Sequence, residues 1–97
     1  MLELNTIIKC EKDIEWLYVE KKDKTQFEFA KHSMVTRYYA LYNARKDYIT
    51  HTEECLMSKK DNFSHDVFDN YAYAFTRFYN AYLIYCQCVA KLKGVQL

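Results

Sequence analysis

A chain of 97 residues holds one domain, residues 1–97, and leaves no room for a second. It has no proline and a single glycine, Gly94, so it lacks the turn chemistry of an all-β domain and points to a few long helices. The formal net charge of +1 supplies no global field for steering onto nucleic acid or an anionic membrane, so any anion site must be local.

A first helix is expected over about 4–22. Ile7, Cys10, Ile14 and Leu17 recur at spacings of three and four and form one stripe, widened by Leu4 and Tyr18. Lys9–Asp13 and Lys12–Glu15 are placed to pair on the opposite face. Trp16 lies off the stripe and reads as a rim residue covering the core edge, or as an anchor for a partner.

The charged run Glu20-Lys21-Lys22-Asp23-Lys24 marks a break, and Thr25-Gln26-Phe27-Glu28 has the pattern of a capping box. A second helix is therefore expected over about 25–60. Phe27, Met34, Val35, Tyr38, Leu41, Tyr42, Tyr48, Ile49 and Leu56 form its apolar stripe. Lys59-Lys60-Asp61-Asn62 reads as the following turn, with Asn62 or Ser64 as the next N-cap.

The third helix, about 64–93, carries the clearest pattern. Phe68, Tyr71, Phe75, Phe78, Tyr82, Tyr85, Val89 and Leu92 alternate at three and four residues as a heptad seam. Its outward face still holds Tyr73, Leu83 and Ile84, and between Asp69 and Lys91 the only formal charge is Arg77. Gly94 supplies the left-handed position that ends the helix, with Val95 able to pack back. A helix apolar on nearly all sides must be covered on more than one. The fold class is thus all-α, an antiparallel three-helix bundle, oligomeric through its aromatic third helix and part of the second. Tyr39, Tyr73, Leu83 and Ile84 are the candidate interface residues.

Signatures of chemistry are sparse. Cys10, Cys55, Cys86 and Cys88 lie in apolar periodic segments, which suits reduced thiols and a cytoplasmic protein. The longest uncharged run, Phe78 to Ala90, is shorter than the roughly 20 residues of a spanning helix, so no membrane segment is expected. His51 and Cys55 are one turn apart, but no second pair completes a zinc site, so no metal is assigned. Glu53 and Glu54 diverge on a helix, Ser64 beside His65 has a capping position, and no glycine-rich loop cradles phosphate. No enzymatic activity and no cofactor are expected.

The arginines stand apart. Arg37, Arg45 and Arg77 each sit among tyrosines, and none has an acidic residue three or four positions away. Arg37, Leu41 and Arg45 read as aligned along one side of the second helix. An arginine without a local carboxylate pairs across helices, stacks on an aromatic ring at the surface, or meets an anion from outside. With Tyr38, Tyr42 and Tyr79, the three arginines form a candidate ligand site for a nucleotide or cyclic nucleotide.

Together these features suggest a small non-enzymatic interaction protein that binds and inhibits a host or cognate protein. Its composition, rich in Lys, Asn, Ile, Tyr and Phe and poor in Arg, Pro and Gly, is the AT-rich kind shared by phages, mobile elements and many low-GC bacteria. An oligomeric module that sequesters a nucleotide is the alternative. Nucleic-acid binding is a third reading, disfavoured by the near-zero net charge, since duplex binding leans on many phosphate contacts.

Overall fold

A computed structural model describes residues 3–58 and 65–94. Within them every regular element is helical, with no strand: α1 (Leu4–Ile8), two short 3₁₀ turns (Lys9–Asp13 and Trp16–Tyr18), α2 (Lys21–Ser58) and α3 (His65–Leu92). At about 1.5 Å per residue, the 38 residues of α2 account for most of the long axis of a rod measuring 60 × 20 × 19 Å.

α2 and α3 pack side by side in antiparallel fashion. Facing partners climb α3 as they descend α2: Tyr48 meets Tyr71 at 5.3 Å between ring centroids, Tyr38 meets Phe78 at 5.6 Å, and Phe27 meets Tyr85 at 5.8 Å. Lys91 closes the series on Asp23 at 3.4 Å. α3 has Asp66 in its first turn and Lys91 in its last, each suited to its end of the helix dipole. Gly94 then adopts a φ of 77°, and its amide donates to the Lys91 carbonyl at 3.0 Å, ending α3 as the sequence implies. The expected turn at residues 59–62, its N-cap at Asn62 or Ser64, and the contact of Val95 lie outside the described residues.

The first helix differs from expectation. The chain leaves α geometry after Ile8, and Ile14 and Val19 are extended, with ψ of 125° and 127°. Both are β-branched residues at ease in that conformation. A continuous helix would have placed Leu17 and Tyr18 on the stripe; instead they are 89% and 79% exposed. The breaks let Ile14 sink into the core while Trp16 lays its ring edge on Phe27, 4.9 Å between centroids, as a rim residue. The expected Lys9–Asp13 pair is replaced by Asp13 with Lys93, at 3.6 Å.

The start of α2 is also earlier than the capping pattern implies. The Lys24 amide already donates to the Glu20 carbonyl, and the Thr25 hydroxyl donates to the Lys21 carbonyl at 2.9 Å, so Thr25 lies inside the helix rather than capping it. The run Glu20–Lys24 contains good helix formers and no breaker, with Asp23 in the first turn, so the helix propagates back through it.

Burial is strongly polarised. Ile7, Ile14, Phe27, Ala30, Met34, Leu41, Ala44, Ala81, Tyr85 and Val89 are buried, most of them clustered at the end of the hairpin that the N-terminal segment covers, with Leu41 and Ala44 farther along α2. From Arg45 to Met57 and from His65 to Asn80 no side chain is buried. The consequence is global. The radius of gyration is 17.7 Å, against about 12.5 Å for a compact domain of this length. The accessible surface is 7619 Å², against about 5900 Å² for a folded monomer of this mass.

Candidate functional site

The two long helices leave a groove on each flank of the hairpin, and the candidate residues divide between them. Each four-residue step along a helix advances by roughly 40°. Leu41 therefore points between the helices and is buried, while Arg37 falls to one side and Arg45 to the other. The single aligned row expected for Arg37, Leu41 and Arg45 is not present.

On the first flank, the N-terminal segment covers the half of the groove nearest the chain ends. Its fastening is Glu11, whose carboxylate accepts from Lys31 on α2 at 3.0 Å and from the Tyr85 hydroxyl on α3 at 2.5 Å. Burial, then the hydrogen bond to Glu11, drives the Tyr85 phenol far above its ordinary pKa. Beside it, burial raises the Cys86 thiol, while the hydrogen bond between Cys86 and Tyr82 raises Tyr82. Nothing in the spacing of Glu11 singles it out; it becomes central only because the segment bends.

Beyond that segment the same flank opens into an aromatic cleft of about 420 Å³, lined by Ile7, Tyr38, Leu41, Arg45, Tyr71, Phe75, Phe78, Tyr79 and Tyr82. Three of the six expected ligand residues, Arg45, Tyr38 and Tyr79, meet here. Arg45 is half-buried and makes no hydrogen bond or ion pair with another described residue. Tyr42 is exposed and lines neither cleft. Along this flank Ile49, Phe68, Phe75 and Tyr79 remain exposed, Phe75 by 54% and Phe68 by 48%. The sequence pattern placed Phe68 and Phe75 in the seam; with only one helix facing them, they are not covered.

The second flank carries a more polar cleft of about 400 Å³ between Thr36, Arg37, Ala40, Asn43, Ala44 and Asp47 on α2 and Asn70, Tyr73, Ala74 and Arg77 on α3. Arg37 donates to the Ser33 hydroxyl and, at 3.4 Å, to the Ser33 carbonyl one turn back. Arg77 lies over the Tyr73 ring, 5.4 Å from its centroid. No arginine forms an ion pair among the described residues.

The four residues assigned to an interface are all exposed but do not form one patch. Tyr73 borders the polar cleft and Ile84 an apolar hollow farther along the same flank, with Phe29, Ala30, Ala81 and Cys88. Tyr39 and Leu83 project outward from the hairpin.

Other chemistry is limited. Cys55 Sγ lies 3.6 Å from His51 Nε2, yet no group of three His, Cys, Asp or Glu is placed to hold a metal among the described residues. All four cysteines are free thiols. No helix among the described residues is long and apolar enough to cross a membrane. No family model, curated protein or solved structure matches the chain.

Proposed function

We propose that this chain is a non-enzymatic interaction protein that works as a homo-oligomer, joined through the aromatic flank beyond its N-terminal segment. One observation carries this reading: half of the hairpin exposes Ile49, Phe68, Phe75 and Tyr79 and, among its described residues, contains no buried side chain. A surface of that kind belongs in an interface. The excess of accessible surface over a compact monomer exceeds the roughly 800 Å² that each partner contributes to a standard interface.

Charge favours a second copy as the occupant. Arg45 brings an unmatched cation into the aromatic cleft, and Asp66 and Asp69 stand exposed on α3 toward the far end of the same half. A two-fold pairing offers one protomer's acids to its partner's arginine, as the self-complementarity of an isologous interface requires. The assembled rods then present Tyr39, Leu83 and the second flank to a protein target.

Light scattering across micromolar concentrations tests the assembly. A mass of two or more protomers that falls to one in Phe75→Glu supports it. A wild-type monomer throughout that range overturns it.

A further inference from the structure

The polar cleft on the second flank exists because of three alanines. Ala40, Ala44 and Ala74 line the cleft together with Arg37 and Arg77, and their short side chains leave a hollow where longer ones would meet. Its volume of about 400 Å³ falls within the roughly 300–1,000 Å³ of small-molecule sites.

What lines the hollow specifies what it takes. Two guanidinium groups, one from each long helix, border a single cleft. Asp47 is the one carboxylate in the lining and pairs with neither arginine, so the cleft carries net positive charge. Among the described residues Arg37 is occupied only by Ser33 of its own helix, a neutral partner that an anion displaces readily because charged acceptors bind guanidinium more strongly. Arg77 covers one face of the Tyr73 ring, and that ring is largely exposed, leaving a platform for a planar group. Asn43, Asn70 and Thr36 add neutral donors and acceptors around the rim.

We infer that this cleft is a binding site for a phosphate monoester carried on a planar ring, a mononucleotide-like ligand. A phosphate has three terminal oxygens and accepts from both arginines at once, whereas a carboxylate is satisfied by one arginine's bidentate fork. The ring stacks on Tyr73, and the carboxamides of Asn43 and Asn70 meet its polar edge. The cleft lies on the flank opposite the proposed self-contact, so the two ideas stand or fall separately.

Calorimetric titration of the whole chain with AMP, ribose 5-phosphate and adenosine tests the site. AMP should bind at least about ten-fold more tightly than either fragment, a difference of about 1.4 kcal/mol. Arg77→Gln and Ala40→Leu, the latter filling the hollow at an exposed helical position, should each weaken AMP by about ten-fold or more with circular dichroism unchanged. Lys12→Gln, which removes a cation from the exposed side of the N-terminal segment, should leave AMP binding as it is. Absence of AMP binding at millimolar concentration overturns the proposal. So does binding that survives both Arg77→Gln and Ala40→Leu, or ribose 5-phosphate binding as tightly as AMP.

Discussion

The hydroxyl of Tyr85, a fully buried side chain of α3, donates its hydrogen bond to Glu11, 74 positions earlier in the chain. Glu11 also holds Lys31, so one carboxylate joins all three parts of the fold. Glu11→Ala should cost about 1–3 kcal/mol, because it strands a buried phenol without an acceptor. Trp16, the only tryptophan, rests on Phe27 and reports on the attachment of the segment. Its fluorescence should shift to the red in the variant at denaturant concentrations where the wild type is still native. An unchanged spectrum and midpoint would show that Glu11 does not fasten the segment.

Alkaline pH provides a second probe of the same contact. Burial and Glu11 raise the Tyr85 pKa in the folded chain, so this group's contribution is fully present below the pKa of an unfolded tyrosine, about 10. Above that pH the unfolded state loses a proton that the native state retains, and stability should fall by about 1.4 kcal/mol per pH unit from this group. Denaturant midpoints measured from pH 8 to 11 should decline less steeply in Tyr85→Phe, although that variant starts from lower stability. Equal slopes would contradict the assignment.

Polarised burial predicts a division of mutational effects. Met34→Ala, in the covered core, should lower stability by about 2–5 kcal/mol. Phe75→Ala, on the uncovered half, should change protomer stability by less than about 1 kcal/mol when dilute, while raising the concentration at which protomers associate. Chemical denaturation at submicromolar concentration, paired with analytical ultracentrifugation, separates the two. A large loss from Phe75→Ala in the dilute protomer would mean that this half is already packed.

Gly94→Ala tests the end of α3. An added methyl meets nothing within 4 Å, so the penalty comes from the left-handed backbone alone. A cost of about 1 kcal/mol should speed amide exchange at Lys93 and Gly94, whose amides bond back to Val89 and Lys91, by roughly five-fold. Unchanged exchange would show that Gly94 does not set the stop.

Regular periodicity made α3 legible almost to the residue, and the absence of proline and glycine made the long α2 legible in outline. Two features resisted. Ile7, Cys10, Ile14 and Leu17 fit a helical stripe, but tertiary packing pulls Ile14 into the core through an extended backbone and sets Trp16 at its rim, and local spacing does not encode that pull. The arginines resisted for a geometric reason: Arg37 and Arg45 seem aligned when spacing is counted in fours, yet Leu41 between them is the residue that faces α3. The part of the candidate site that spacing did convey is its chemistry, arginines without local acids beside tyrosines. The alanines that hollow out the polar cleft signal nothing until α3 is laid against them.

The polarised core also governs when this protein becomes foldable on the ribosome. Phe27 and Met34 are made early, but the residues that seal them, Ala81, Tyr85 and Val89, lie far later in the chain. Until then the nascent α2 has no partner for its apolar stripe, and the N-terminal segment has no Tyr85 or Lys93 to hold it. Closure of contacts so far apart in sequence is slow to nucleate. The N-terminal half therefore reaches its native shape only once α3 has been made.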